Sequence, residues 1–398
     1  MKHSFSFWAV LLLAATFSSF AYAAPTISGT SGTWSDSGSV IINGAGFGVK
    51  SPAAPLLWDD GSALTMSAAG WSGWWPSAGP ISGQITRSTG MNGVVMPHGR
   101  VSRYITGSHE GSSGYNAGYN VAAWVNFTKS EGMGLYANWY VRLDPAWRYN
   151  WNGRQWPEND GNYKDVAYSV CCSPYEMPNN WYLSSFLTNP DADMAYMSND
   201  DNVTTPSFQN PDADGNNPYY HDAFFGPAKE PASDPSKWVK DEFEMVITSQ
   251  TGYTGYIKLW NNGVFGVNYP GRTDRYAGTS RTFGIGGYSR DYPDPNNRRY
   301  FADVYIDTTR ARAVLCSGAT FAARGYCEPQ IPTAWSASSI TVTVNPGRFA
   351  DHSTAYLYVC DSSAACNSNG HAVTIASAGQ GDTVAPGAPD ALRVDPAS

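Results

Sequence analysis

The chain has 398 residues, with 33 acidic against 25 basic side chains and a formal net charge of −8, which excludes a nucleic-acid surface built on a basic stripe. Charged residues make up only 15% while aromatics reach 14%, and 40 Gly with 26 Pro accompany them, a balance that suits short strands and irregular loops far better than helices. An all-β protein is expected, and an anionic polymer would have to be met by a local cluster of cations, because the overall field repels it.

Residues 1–23 carry Lys2, an apolar stretch from Phe7 to Phe17, and small residues at Ala21 and Ala23. That is the layout of a secretory signal peptide cleaved after Ala23. A membrane-spanning helix needs about twenty apolar residues, and no later stretch comes close. The mature protein is therefore expected outside the cytoplasm, extracellular or periplasmic, with no membrane span.

Residues 24–54 form the first piece of the folded chain: a Pro-led strand, a turn, and "SVIINGAGFG". The stretch Gly44-Ala45-Gly46-Phe47-Gly48 resembles the opening of the immunoglobulin-like IPT/TIG domain. The second half of such a domain does not follow. Near the other end, residues 329–376 contain "ITVTV", "AYLYV" and "AVTIA", three strand-like runs with turn residues between them. A small immunoglobulin-like β-sandwich built from both chain ends is expected, with residues 55–328 inserted into it. The alternative is two separate half-sized β appendages. Residues 377–398 read as a linker-like tail, similar to the lead-in before fibronectin type III modules.

Within the insertion, residues 134–143 trade apolar and polar side chains at every step. A strand of period two buries Leu135, Ala137, Trp139 and Val141 and displays Tyr136, Asn138, Tyr140 and Arg142. "WVKDEFEMVIT" (238–248) likewise sets Phe243, Met245 and Ile247 against Glu242 and Glu244. "GYIKLWNNG" (255–263) sets Tyr256, Lys258 and Trp260 against Ile257 and Leu259, then turns at Asn261-Asn262-Gly263. "YFADVYIDTT" (300–309) offers Asp303, Tyr305 and Asp307 against Ala302, Val304 and Ile306. Half-buried antiparallel strands of this kind imply a sandwich with one polar, aromatic-rich outer face.

These strands, with "TFGIGGY" between them, resemble the second half of a concanavalin A-like lectin/glucanase jelly roll, and are most similar to the heparin lyase I-like polysaccharide lyases. The resemblance implies an all-β jelly-roll sandwich over residues 55–328 whose concave sheet receives an extended glycan, an extracellular polysaccharide carrying uronates. Sugar rings stack on aromatic faces while their hydroxyls and carboxylates need fixed polar partners. Tyr136, Asn138, Lys164, Tyr168, Glu242, Glu244, Tyr256 and Trp260 are the expected substrate-binding residues. The bland alternative is an ordinary exposed sheet face, since Tyr, Trp and Thr favour strands anyway.

Cleavage by β-elimination needs a base and a cationic group that neutralises the uronate carboxylate. Tyr140, Arg142, His221 and Lys258 are the expected catalytic set, with Tyr136 or Tyr140 as base if neighbours lower the phenol and His109 as a second histidine to test. The Gln-Ile-His triplet of the alginate lyase branch is missing. A non-catalytic carbohydrate-binding or adhesion module is the alternative. A retaining hydrolase through Glu242 and Glu244 is the weaker one, because the third acid of the jelly-roll hydrolase pattern is absent. No cofactor is required by either chemistry. Asp212 and Asp214, in a repeated "NPDAD", can hold a structural Ca2+, or else form a turn-rich loop over the cleft. Six cysteines in an exported chain favour disulfides. Cys360 with Cys366 and Cys316 with Cys327 are the expected pairs, while Cys171 and Cys172 stay open.

Overall fold

The computed structural model describes residues 24–74, 85–88, 98, 104–108, 119–143, 166–170, 179–184, 195–198, 223–225, 237–274, 276–289 and 298–377. Their regular structure is strand throughout, apart from one 3-10 turn at Phe321–Ala323. Strands are numbered in chain order. One large sheet holds, side by side, β15 (Val264–Gly271), β14 (Gly255–Asn261), β13 (Val239–Val246), β8 (Gly134–Leu143), β17 (Arg298–Asp307), β6 (Tyr104–Ser108) and β5 (Ile85–Ser88). The short β3 (Leu57–Asp59) pairs with the far end of β17. The facing sheet runs β12 (Ala223–Phe225), β11 (Ala195–Ser198), β10 (Asn179–Ser184), β9 (Val166–Val170), β16 (Ser280–Ser289), β7 (Tyr119–Thr128) and β4 (Gly73–Trp74).

Both sheets are antiparallel, and they enclose one apolar core to which Leu135, Ala137, Trp139 and Val141 of β8 contribute together with Phe243, Met245, Ile257, Leu259, Phe283 and Ile285. The alternation in β8, β13 and β14 thus sets which face goes inward. In β17 it breaks. Phe301, Val304 and Ile306 enter the core, whereas Ala302 pairs with Tyr140, because Asp303 is an extra residue in a bulge with φ of 48°. A non-glycine residue in that left-handed region carries strain that the surrounding sheet must hold. This corrects the expected grouping of Ala302 with Val304 and Ile306.

A second, smaller sandwich has one sheet of β1 (Thr26–Gly32), β2 (Ser39–Ala45), β21 (Ser339–Thr343) and β20 (Ile331–Trp335). The other sheet has β19 (Cys327–Pro329), β18 (Arg312–Cys316), β22 (Thr354–Cys360) and β23 (His371–Thr374). The two chain ends meet where Ile42 pairs with Ile340 and Val40 with Val342, and these four side chains lie in a core shared with Leu315, Leu357 and Val359. β18 pairs with both β19 and β22, so residues 312–328, expected in the larger sandwich, belong to the smaller one. Alternation explains the misplacement: "RAVLC" is buried at every position, and periodicity cannot say which core it joins. Disulfides link Cys316 to Cys327 and Cys360 to Cys366, each stapling neighbouring backbone of this sheet.

Among the described residues no helix is long and apolar enough to cross a membrane. The expected signal peptide at residues 1–23, Cys171, Cys172 and most of the tail at 377–398 lie outside the described residues.

Candidate functional site

The polar parity of β8 was expected to face a glycan, yet Tyr136 and Asn138 are 0% exposed, Tyr140 1% and Arg142 6%. The small sandwich lies on this face. Tyr136, Tyr305 and Ile331 form a shared apolar cluster with Trp58 packed against it. Asn138 Nδ2 donates to the Cys327 carbonyl at 3.5 Å. Arg312 sits 4.3 Å above the Tyr136 ring, and Arg324 4.5 Å above Trp260.

Burying so much polarity requires pairing, since an unpaired buried charge costs several kcal/mol. Arg312 meets Glu244 at 3.0 Å and Arg324 meets Glu242 at 2.9 Å. The Tyr256 hydroxyl donates to Glu244 and accepts from Arg310. Burial pushes the Glu244 carboxyl up, but the Arg312 guanidinium and the Tyr256 hydroxyl outweigh it and hold it below the ordinary carboxylate range. A glycosidase acid needs the opposite. Glu242 and Glu244 thus join the two sandwiches, and neither can act as the acid–nucleophile pair of a hydrolase on an open face.

Lys50, from the N-terminal piece, reaches Asp307 at 2.9 Å, and the Tyr305 hydroxyl donates to the same carboxylate at 3.0 Å. Burial nevertheless wins and pushes Asp307 up to about 6, with Lys50 opposing. The folded protein therefore binds this proton more tightly than the unfolded chain. The resulting stabilisation is complete below the ordinary carboxylate value and is lost as pH rises through about 6. Melting temperatures of native protein and Asp307→Asn, measured from pH 4 to 8, should diverge across that window: the native protein loses stability relative to the variant as pH rises. A constant difference would contradict the account.

At the other end of β8 a second polar cluster appears. The Tyr140 hydroxyl donates to Glu328 Oε1 of β19, and the Lys240 ammonium binds Glu328 Oε2 while lying 4.0 Å over the Tyr140 ring. Burial first, then the Glu328 carboxylate, pushes the Tyr140 phenol well above its usual value. Tyr136 is raised in the same way, by burial and then Glu242. Both shifts run opposite to the lowering that a tyrosine base was expected to need. Next to Tyr140 in register stands the Asp303 bulge, and its Oδ2 is 2.6 Å from His98 Nε2. The His98 ring meets Tyr140 edge-on at 6.0 Å between centroids, and its side chain is 8% exposed. Arg142 lies two pairs further along, opposite Tyr300.

Of the expected site residues, Tyr140 and Arg142 stand at this cluster. Tyr136, Asn138, Glu242 and Glu244 lie beneath the small sandwich. Lys258 lies 4.3 Å over the Tyr256 ring and pairs in register with Glu244, four positions along β13 from Lys240, or about 13 Å at the rise of a strand. It does not join Tyr140. Tyr168 belongs to the facing sheet, points into the core, and donates to Asp274 at 2.7 Å. Lys164, His109, His221, Asp212 and Asp214 lie outside the described residues. Among the described residues no three His, Cys, Asp or Glu side chains gather as a metal site. Sequence reading missed His98, Lys240, Glu328, Arg312 and Arg324; "MPHGR" carries no periodic or motif signal, and its partner Asp303 is 205 positions away.

No protein-family model and no curated protein matches the chain. Among solved structures, an endo-β-1,4-glucuronan lyase from the fungus Trichoderma reesei is 13% identical over 60% of this chain and 92% of that one, with a TM-score of 0.42. An alginate lyase from Aplysia kurodai is 14% identical over 62% and 95%, with a TM-score of 0.38. The binding domain of botulinum neurotoxin serotype D, 13% identical over 52% and 39%, scores 0.28. These likenesses are distant and carry no argument about chemistry.

Proposed function

We propose that this protein is an exported polysaccharide lyase that holds a uronate residue at the Tyr140–Arg142 end of the large sheet and cleaves the neighbouring glycosidic bond by β-elimination. The observation that carries this reading is the His98–Asp303 pair, set by a strained bulge beside Tyr140, with Arg142 two register positions beyond that tyrosine. An imidazole oriented by a carboxylate at one ring nitrogen is the arrangement of a general base, and the other nitrogen, Nδ1, is assigned that role here. Nδ1 removes the proton next to the uronate carboxylate, the carbon–hydrogen electrons form the new C=C bond, and the bond to the departing oxygen breaks. The imidazolium then returns the proton to that oxygen. Arg142 binds the carboxylate, for which a planar guanidinium is the fitting partner, and withdraws charge so that the α-proton becomes acidic.

The product is an unsaturated uronate that absorbs in the ultraviolet. The native protein, incubated with a panel of polyglucuronate, polymannuronate, polyguluronate and glucuronate-bearing glycosaminoglycans, is expected to raise that absorbance with at least one. Binding without absorbance would leave the non-catalytic carbohydrate-binding reading, and reducing ends without absorbance would mean hydrolysis.

A further inference from the structure

Glu328 belongs to the small sandwich, but its carboxylate ends in the large sheet. It directly follows Cys327, whose disulfide to Cys316 ties β19 to β18. Its Oε1 accepts from the Tyr140 hydroxyl and, at 3.3 Å, from the Arg348 backbone N–H, and its Oε2 accepts from Lys240. The seat is closely shaped. Gly347, at φ of 51°, lies so near that a Cβ there would run into the Glu328 carboxylate. The turn carrying Gly347 is fixed in its turn, because the Gly347 N–H donates to Asn345 Oδ1 at 3.0 Å and the Asn345 N–H donates to Gln330 Oε1 at 3.0 Å. A fully buried carboxylate thus holds one hydroxyl and one ammonium of the facing sandwich, and the ring of that tyrosine borders His98.

We propose that Glu328 is a positioning residue of the reacting site, so that the small sandwich completes the site rather than merely resting on the larger one. This rests on the lyase reading above. Glu328 fixes the Tyr140 ring and the Lys240 ammonium, and the Tyr140 ring in turn sets the edge against which the His98 imidazole is oriented. Displacement of a reacting group by about 1 Å can cost on the order of a hundredfold in rate. The Glu242–Arg324 pair supplies a comparison, because it joins the same two sandwiches through a separate pair of charges.

The test is kcat, KM and melting temperature of native protein, Glu328→Gln, Glu328→Asp and Arg324→Gln on a uronate polymer that the native protein cleaves. Glu328→Gln should lower kcat by about tenfold or more with KM within about twofold, and Glu328→Asp should recover part of the loss. Arg324→Gln should lower the melting temperature and leave kcat in place. Should Glu328→Gln not fold, the double variant K240Q/E328Q removes both buried charges together and carries the same expectation. Native kcat in either folded variant overturns the proposal, as does an equal loss in Arg324→Gln. If the native protein yields no unsaturated product, the lyase reading fails before any substitution is compared, and the positioning role falls with it.

Discussion

Replacing His98 by alanine is expected to lower kcat/KM on the cleaved polymer by about a hundred- to ten-thousandfold, the contribution of one general base. The His98 side chain is 8% exposed and pairs with the buried Asp303, so the variant should also lose some stability, and its melting temperature is measured beside the kinetics, which are run well below it. The loss should appear in kcat more than in KM, since proton abstraction occurs only on the way to the transition state. Steady-state kinetics with a binding titration on the same variant separate the two. A variant that binds normally and turns over normally would remove His98 from the chemistry. Asp303→Asn should reproduce part of the loss by disturbing the ring's orientation.

The largest effect on stability is expected at Asp274, far from that site. Its Oδ2 accepts from Arg281 Nε at 2.7 Å, and its Oδ1 accepts from Arg281 Nη2 at 2.8 Å. Lys129 is 2.8 Å away and the Tyr168 hydroxyl donates to it at 2.7 Å. Burial pushes the Asp274 carboxyl up, but these donors, Arg281 foremost, bring it below the ordinary range. Asp274→Ala leaves the buried Arg281 without its partner, a change worth about 3–5 kcal/mol. Denaturant unfolding should show an unfolding free energy lower by that amount. The sign with pH also follows: a carboxyl lowered on folding stabilises above its unfolded value, and that contribution fades as pH falls through the lower folded one. A shift under about 1 kcal/mol would mean that Arg281 finds another acceptor.

Parity made the inner half of the large sandwich legible in the sequence. Trp139, Phe243, Leu259 and Val304 alternate with polar residues and enter one core. The outer half was not legible, for a physical reason. Alternation reports that Tyr136, Asn138, Glu242 and Glu244 avoid the apolar core, and it cannot distinguish a face open to water from one covered by another domain's cations. Arg312 and Arg324, the covering charges, come from strands and turns that the sequence assigned to the larger sandwich. The bulge at Asp303 was hidden as well, since one inserted residue resets the parity without leaving a turn residue to mark it. Tyr140 and Arg142 were legible only as polar positions of β8, whereas His98 had no pattern to betray it.

The covering also redefines what the polar stripe of β8 does. Its first half joins two sandwiches through paired charges, and only its last positions, around Tyr140 and Arg142, adjoin the His98–Asp303 pair. The central claim is that this end of the sheet performs β-elimination through His98. It is tested most directly by following ultraviolet absorbance when native protein and His98→Ala are incubated side by side with the same uronate polymer. The account predicts a steady rise with native protein and a nearly flat trace with the variant at equal bound substrate. Equal rises in both would contradict it.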